Sequence, residues 1–581
     1  KQNTWTANAY VNYTKTFAKK HNLNVMAGVN AEEEEYKYLY GTRNVMYDQE
    51  GYPELNMAGK DGQDLSWNHT SRASAGYFGR INYDYKGIYL LELNGRYDGS
   101  SRFPHTDQWA FFPSASIGYR FSEEAYFAPL KHIVSNGKLR ASFGEIGNEA
   151  VGDYMFEQLI SQRLNNKSTG YIYWIENNNA NANLLTMYNM PDLVSSTLTW
   201  ERIRTLNIGL DLGLLNDELT IGFDWFQREN RDMLAPAQVL PNTLGASAPY
   251  ENAGTLRTRG WELNLNWRHT FGDFDVYANF NIGDSKTKVT KWDNDSKLLS
   301  TYYTGKTYGD IFGFETDRYF EEKDFTSQNA DGSWNYANGI ASQAGLESGN
   351  FHYGPGDVKF KDLDGNGKID GGKGTADDHG DLKVIGNSMP RYEYSFHLGG
   401  AWKGIDLDLY FQGVGKREDW TTSSLNLPAM VHADVAIYSH QTSYNKVLWN
   451  SDYTAITGYE VNQGNRYPRL YRGTNNSGGT VSGIANGCNN YYPQSRYLTD
   501  MSYLRLKNVT VGYTLPKEWT RKAYIEKARI YFSGSNLFLL HKGNDLPVDP
   551  EISTGNGLTA GGWGRIAPIT RTFSFGVQVT L

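Results

Sequence analysis

The chain has 581 residues, a formal net charge of −8 and an isoelectric point near 5.8, whereas nucleic-acid-binding proteins are usually basic. No stretch approaches the roughly 18 consecutive apolar residues of a membrane helix, so a helical membrane protein is excluded. The single cysteine, Cys488, cannot form an internal disulfide bond. The composition does not exclude a membrane β-barrel, because barrel strands are apolar on one face only and their mean hydropathy is therefore polar.

Strict alternation of apolar and polar residues predicts β-strands along the chain, because successive strand side chains point to opposite faces. We count about 15 candidate strands, many of about 10–15 residues, which suits a tilted membrane crossing better than a soluble sheet. The clearest examples have apolar faces formed by Leu219, Ile221, Phe223 and Trp225, by Phe274, Val276, Ala278, Phe280 and Ile282, by Ile405, Leu407, Leu409 and Phe411, and by Phe573, Phe575, Val577, Val579 and Leu581.

The predicted connections alternate between short and long. Short turns include Lys86-Gly87, Leu215-Asn216-Asp217, Phe271-Gly272-Asp273 and Lys403-Gly404. Long connections are expected at about 38–70, 146–197, 231–257, 289–389, 416–500 and 540–569. Short periplasmic turns and long extracellular loops are typical of outer-membrane barrels. The sequence therefore predicts an all-β fold over 1–581, a transmembrane antiparallel β-barrel.

The polarity of the strands adds an expectation about the barrel as a whole. If the chain ends on the periplasmic side, the first strand of this sequence runs inward from the outside. Single-chain barrels have an even number of strands and begin with an outward strand. An odd number of strands is then expected to precede this sequence, and a signal peptide before them.

Several motifs, in order along nearly the whole chain, resemble the SusC/RagA family of TonB-linked outer-membrane transporters. They are NGRYDGSSRF at 94–103, FFPSASIGYRF at 111–121, KLRASFG at 138–144, Asn207-Ile208-Gly209-Leu210-Asp211, Arg259-Gly260-Trp261-Glu262, YLRLKNVTVGY at 503–513 and SGSNLF at 533–538.

The resemblance implies a barrel of about 22 strands, of which about 15 are in this sequence, and a plug domain that is not. It implies import of a large nutrient, most often an oligosaccharide and sometimes a peptide. It also implies coupling to the TonB-ExbB-ExbD complex through the missing N-terminal part, and a SusD-like surface lipoprotein as lid. The alternatives are a passive porin, a barrel-anchored surface adhesin, or a secreted protein that binds or cleaves glycans.

An acidic segment inside the 289–389 connection resembles the start of an EF-hand calcium loop. Its candidate ligands are Asp362, Asp364, Asn366, the Lys368 carbonyl and Asp370, with Gly367 at position six, where the sharp turn lies, and Ile369 at position eight. The expected acidic residue at position twelve is replaced by Lys373, and Asp377, Asp378 or Asp381 is expected to substitute for it. The alternative is a hydrophilic Asp/Gly turn without metal. We expect this loop to have little core of its own.

Aromatic residues in the long connections are candidates for stacking on sugar rings or peptide groups. The predicted substrate-binding residues are Tyr173, Trp174, Tyr302, Tyr303, Trp420, Tyr491 and Tyr492, and the alternative for each is packing within the loops or against the lid. The polar strand faces are predicted to line the lumen of the barrel, and they include Asp211, Asp224, Arg228, Asp406 and Asp408. Glu32 to Glu35 lie near the outer end of a predicted strand, where we expect a solvated acidic rim of the barrel. The alternative is that they bind lipopolysaccharide through divalent ions. The sequence has no G-x-S-x-G elbow or Walker loop, so we predict no enzyme.

Overall fold

The computed structural model describes residues 1–43, 58, 64–158, 160, 162–164, 186–188, 191, 193–195, 198–236, 249–348, 351–420, 425–428, 437–470, 480–481, 484–485, 489–551 and 569–581. Within them, fifteen long strands form one sheet. They are β1 (Gln2–Phe17), β2 (His21–Thr42), β3 (Asp64–Tyr85), β4 (Tyr89–Ser100), β5 (Trp109–Tyr119), β6 (Val134–Asn148), β7 (Glu201–Leu214), β8 (Leu219–Pro236), β9 (Tyr250–Phe271), β10 (Phe274–Lys291), β11 (Arg391–Trp402), β12 (Ile405–Lys416), β13 (Tyr503–Thr514), β14 (Lys527–Lys542) and β15 (Thr572–Thr580).

Each strand of the large sheet pairs antiparallel with the next one along the chain. Connections therefore alternate between the two ends of the sheet. Those after the even-numbered strands lie at one end, here named the loop end, and include the segments 292–390 and 417–502. Those after the odd-numbered strands lie at the turn end and reach at most fourteen residues, at 120–133. The predicted all-β antiparallel fold is confirmed, with the predicted number of strands.

The tight turns at the turn end depend on left-handed backbone. Lys86 and Gly87 have φ values of 54° and 66°, and Lys403 and Gly404 have φ values of 46° and 90°. Two positive φ values in a row match the right-handed twist of the flanking strands, and glycine adopts them without steric cost.

The two faces of the sheet differ as the alternation predicts. On one face, directly paired residues form apolar exposed rows, such as Leu407, Val511, Phe532 and Phe575 on four consecutive strands. The other face carries polar and charged side chains, and at β1–β7 it forms a groove of about 510 Å³ whose lining includes asparagine, serine and charged residues together with leucine and isoleucine. We name the apolar face the outer face and the polar face the inner face.

The shorter elements lie mainly in the two longest connections. Short strands are Gln162–Leu164, Thr186–Tyr188, Asp310–Phe314, Thr316–Tyr319, Phe325–Gln328, Trp334–Tyr336, Val358–Phe360, Leu382–Asn387, Glu418–Asp419, Lys446–Trp449, Ile456–Glu460, Thr480–Val481, Ile484–Ala485 and Thr499–Asp500. Helical turns are Phe121–Glu123, Ala125–Leu130, Glu322–Asp324, Ala344–Leu346, Ser439–Gln441, Asn489–Tyr491, Ser495–Tyr497, Lys517–Thr520 and Arg521–Ala523. None of the helices in the described ranges is long and apolar enough to cross a membrane.

The largest buried core of the described chain lies outside the large sheet. It joins both long connections and consists of Ile311, Phe314, Tyr319, Val358, Phe360, Ile369, Trp420, Leu427, Tyr467, Tyr491 and Tyr497. We name the described residues of 292–390 and 417–502 the loop domain. The expectation that the acidic segment has little core of its own is wrong, because Ile369 is buried in this core at position eight of that segment.

Candidate functional site

A buried ion pair joins the two connections of the loop domain. Asp357 is fully buried and its carboxylate accepts hydrogen bonds from Arg469 Nε at 2.8 Å and Nη2 at 2.7 Å. Asn490 Nδ2 donates to the same carboxylate at 2.8 Å, and the Gly354 amide does so at 2.8 Å. Asp357 belongs to the first connection and Arg469 and Asn490 to the second, so the two connections form one folded body.

The acidic segment forms a tight turn whose backbone amides point at its own side chains. Asp362 accepts hydrogen bonds from the Gly365 amide at 2.7 Å and the Gly367 amide at 2.9 Å. These glycines have φ values of 75° and 79°, which few other residues adopt. Asn366 Oδ1 accepts from the Lys368 amide at 2.7 Å. The segment therefore has the sharp turn that the EF-hand resemblance predicts.

Three carboxylates converge at this turn, but they are not the predicted three. Oxygens of Asp362, Asp364 and Asp381 lie within 4.8 Å of one another. Asp381 is fully buried and is held by the Leu363 amide at 2.6 Å and the Asp370 amide at 3.0 Å.

The expected convergence of Asp370 with Asp362 and Asp364 is wrong. The Asp370 carboxylate accepts from the Gly372 amide at 2.8 Å, because the chain turns there into the glycine-rich stretch that leads back to Asp381. Asp381 was one of three predicted substitutes for the missing acidic position. The other two predicted substitutes form salt bridges with lysines: Asp377 with Lys297 at 2.9 Å, and Asp378 with Lys373 at 3.7 Å.

Two of the predicted substrate-binding aromatics are buried in the loop domain core. Trp420 and Tyr491 are 4% and 1% exposed, and the Tyr491 ring packs edge-on against Tyr497 at 5.5 Å. Tyr492 is half-buried, with its hydroxyl bonded to the Leu346 carbonyl at 3.1 Å. Burial leaves Trp420 and Tyr491 no free ring face for a substrate, so packing within the loops explains them.

Tyr302 and Tyr303 keep partly exposed rings close to the loop end of β10. Tyr302 stacks on Tyr308 at 5.8 Å and meets Trp292 edge-on at 4.9 Å. Burial, followed by the neighbouring Tyr308, raises the pKa of Tyr302 to about 12. Lys306 Nζ lies 5.7 Å from the Tyr303 ring and donates to two backbone carbonyls. Tyr173 and Trp174 lie outside the described residues.

The predicted lumen-wall residues lie on the inner face. Arg140 bridges two neighbouring strands, with Asp211 at 3.1 Å and Asp224 at 2.6 Å. Asp408 accepts from the Tyr277 hydroxyl and contacts His397 Nε2 at 2.6 Å, and Asp406 pairs with Arg529. These carboxylates are paired with cations or hydroxyl groups on the inner face, so this face is polar there.

The loop domain also has an exposed apolar hairpin, which the sequence does not predict as an element although Trp449 stands out in it as a loop aromatic. Strands Lys446–Trp449 and Ile456–Glu460 pair antiparallel, and the hairpin exposes Leu448, Trp449, Tyr453 and Ile456. Tyr453 is 78% exposed and Trp449 is 47% exposed. Adjacent exposed apolar side chains on a folded loop are a common feature of protein contact sites.

Comparisons with known proteins agree with this architecture. A family model described as TonB dependent receptor-like, beta-barrel, matches residues 1–377. A TonB-dependent receptor of Formosa agariphila is 27% identical over 98% of this chain and 51% of its own length. The TonB-dependent receptor SusC of Bacteroides thetaiotaomicron is 25% identical over 94% of this chain and 48% of its own length.

Solved structures agree on the fold. The RagAB peptide transporter superposes with a TM-score of 0.69 at 19% identity, over 100% of this chain and 55% of that chain. The chain thus spans about half the length of the relatives that it matches. Proteins of this family are outer-membrane transporters and receptors and not enzymes. The chain belongs to the TonB-dependent receptor-like β-barrel family.

Proposed function

We propose that the protein of which this chain is a part imports a large nutrient across the outer membrane, driven by TonB. The observation that carries the proposal is the polar inner face beneath a folded loop domain, in a chain of this family. The groove lined by Asn24, Asn82, Glu92, Ser142 and Asn207 offers hydrogen-bond donors and acceptors along a passage. A substrate held by many weak polar contacts is able to move along such a wall.

An oligosaccharide is the substrate class that we favour, with a peptide as the second candidate. Amide and hydroxyl side chains can exchange hydrogen bonds with sugar hydroxyls. The partly exposed rings of Tyr302 and Tyr303 are candidates for stacking on the sides not covered by Tyr308 and Lys306. The peptide candidate is favoured by the fold likeness to the RagAB transporter, whose substrate is a peptide.

Uptake assays in cells test both the mechanism and the substrate. A strain that lacks the full-length protein is complemented with it and offered labelled oligosaccharides or labelled peptides of similar mass. We expect uptake of the oligosaccharides, and its loss when TonB is deleted or the proton gradient is collapsed. Uptake that persists without TonB identifies a passive porin and overturns the proposal, and energised uptake of peptides alone selects the second substrate class.

We also propose that a SusD-like lipoprotein contacts the loop domain through the hairpin at 446–460. The exposed Trp449 and Tyr453 supply apolar area at its surface, and aromatic side chains are the commonest anchors of protein interfaces. Trp449→Ala with Tyr453→Ala is expected to weaken copurification of the lipoprotein at least about tenfold. The matched control is Tyr126→Ala, an exposed tyrosine at the turn end, which should leave copurification unchanged. Equal recovery with all variants would contradict the contact.

A calcium ion in the acidic turn is the third part of the proposal. Asp362, Asp364 and Asp381 supply carboxylate oxygens, and the Asn366 side chain and the Lys368 carbonyl lie in the same turn. Calcium prefers six to eight oxygen ligands in a flexible arrangement. Three carboxylates so close together repel one another, and a divalent cation offsets that repulsion. The ion would order the turn above the buried Ile369.

A further inference from the structure

The outer face carries a basic patch at the loop end of strands β6 to β10. Three successive rows of directly paired residues define it. Trp225, with its directly paired neighbours Ile208 and Trp261, lies in the row nearer the turn end. Asp284 is paired with Trp261 in this row, and its charge is neutralised by Arg391. The rows beyond it are Phe143-Leu206-Gln227-Arg259-Lys286, then Glu145-Arg204-Glu229-Arg257-Lys288, then Gly147-Arg202-Arg231.

Seven cations and two carboxylates occupy these three rows. Glu145 is nearly buried and pairs with Arg202 and Arg204, and Glu229 is nearly buried and pairs with Arg231 and Arg257. Among the described residues, Arg259, Lys286 and Lys288 take part in no ion pair with a carboxylate. The folded chain therefore leaves five positive charges on this face without compensation.

The strand register places like charges directly opposite one another. Arg202 faces Arg231, Arg257 faces Lys288, and Arg259 faces Lys286. Like charges in directly opposed positions of a sheet are destabilising. Glutamates offset this repulsion at Arg202, Arg231 and Arg257. Among the described residues, Arg259 and Lys286 oppose each other with no carboxylate partner, so an anion from outside the chain would relieve their repulsion.

The depth of the patch identifies the kind of anion. Rows on one face of a strand are roughly 7 Å apart, so the basic rows begin one step beyond the Trp225 and Trp261 row and continue for two more. Tryptophan is enriched where the hydrocarbon of a membrane meets its headgroups. The cations thus lie at headgroup depth on the outer face, at the loop end. The inner face at the same strands carries Asp224 and Arg140, which already pair.

We propose that this patch binds the phosphate groups of outer-leaflet lipopolysaccharide. Arginine guanidinium groups bind phosphate oxygens through paired hydrogen bonds, and the lysines add point charges. A phosphorylated lipid bound there fills the space between the opposed cations and fixes the height of β6 to β10 in the membrane. The inference needs only the fold and the outer-membrane location, so it stands apart from the proposed substrate and lid.

Binding to lipid A in detergent tests the proposal. The full-length protein, stripped of lipid, is titrated with bisphosphorylated lipid A and with the dephosphorylated form that has the same acyl chains. The test variant is Arg259→Gln with Lys286→Gln and Lys288→Gln, because none of these side chains holds a buried carboxylate. The control variant is Lys19→Gln with Lys86→Gln and Lys403→Gln, which removes the same charge at the turn end.

We expect the wild type and the control to bind the phosphorylated form, and the test variant to bind it at least about tenfold more weakly, since each cation near an anionic lipid surface contributes severalfold. The melting temperature of the wild type should rise with phosphorylated lipid A only. Equal affinity for the two lipid forms, or equal binding by the test variant, overturns the proposal. Loss of the partner lipoprotein by the test variant, with lipid A binding intact, also overturns it and marks the patch as a protein interface.

Discussion

At the scale of single residues, the loop domain depends on one buried carboxylate and its partner. Arg469→Ala leaves the Asp357 charge buried with no cation beside it, and we expect the loop domain to lose about 3–5 kcal/mol of stability. Hydrogen exchange of loop domain amides in the full-length protein measures the loss. The control is Lys446→Ala, which breaks the exposed pair with Glu460 and should cost at most about 1 kcal/mol. Similar effects of the two variants would contradict the role of Asp357.

A second residue-scale prediction concerns the acidic turn. Asp381→Asn removes a buried carboxylate of the converging three, whereas Asp377→Asn removes an exposed one paired with Lys297. If calcium binds, chelation should speed proteolysis between 360 and 385 in the wild type and in Asp377→Asn. Asp381→Asn should be cleaved rapidly with or without calcium. If the wild type is cleaved at the same rate with calcium and with chelator, the turn does not bind calcium.

The ion pairs of Glu315 give the loop domain a defined pH response. Hydrogen bonds from Lys361 and then Lys383 lower the pKa of Glu315 from 4.5 to about 2. Because the folded pKa is depressed, the stabilisation is complete above about 4.5 and is lost as the pH falls through about 2. Both lysines are half-exposed, so Glu315→Gln should cost at most about 1 kcal/mol at pH 7. The difference from the wild type should vanish near pH 2, and a constant difference across this range would contradict the assignment.

At the scale of single elements, β15 tests which face meets lipid. Phe575 is 73% exposed on the outer face and is directly paired with Phe532. Phe575→Asp puts a charge into hydrocarbon and should cost about 2 kcal/mol of stability in lipid vesicles. Ser574→Asp, one residue away, puts the same charge on the inner face and should cost little. Equal costs for the two variants would show that the faces are not distinguished by lipid.

The strands were predictable and the loop domain was not, for one physical reason. Strand periodicity is local, so Ile405, Leu407 and Leu409 reveal a face within five residues. The core residues Phe314, Phe360 and Trp420 follow no period and meet across long stretches of chain. A lone aromatic residue in a polar loop has the sequence context of a substrate-stacking residue, so the sequence alone does not reveal that Trp420 and Tyr491 are buried.

The acidic turn was half predictable. Its turn glycines follow from the local motif, whereas the core around Ile369 contradicts the expectation of a loop with little core. The choice of Asp381 over Asp370 depends on a ten-residue excursion whose path no local pattern specifies. The cross-connection pair of Asp357 and Arg469 and the basic rows at β6 to β10 likewise appear only when the strand register is known.

At the scale of the whole molecule, the alternation of connections predicts a sidedness. In a Cys488→Ser background of the full-length protein, we place single cysteines at Tyr453 in the loop domain and at Lys20 in the first turn. A membrane-impermeant maleimide added to intact cells should label the Tyr453→Cys variant, since the loop end is expected outside, and not the Lys20→Cys variant. Both should be labelled after lysis. Labelling of Lys20→Cys on intact cells would reverse the orientation.

The shared core of the loop domain has a consequence for exchange of parts between relatives. Each of the two long connections contributes half of a core, and Asp357 in one needs Arg469 in the other. A chimaera that receives only 292–390 from a distant relative would inherit mismatched halves and an unpaired buried charge. A chimaera that receives both 292–390 and 417–502 keeps the shared core and the Asp357–Arg469 pair. It must still match the four strand ends and the connection after β14, where Asp545 pairs with Arg466 and Leu546 packs against Met501. The unit of recombination for this surface is therefore the pair of connections, transplanted together.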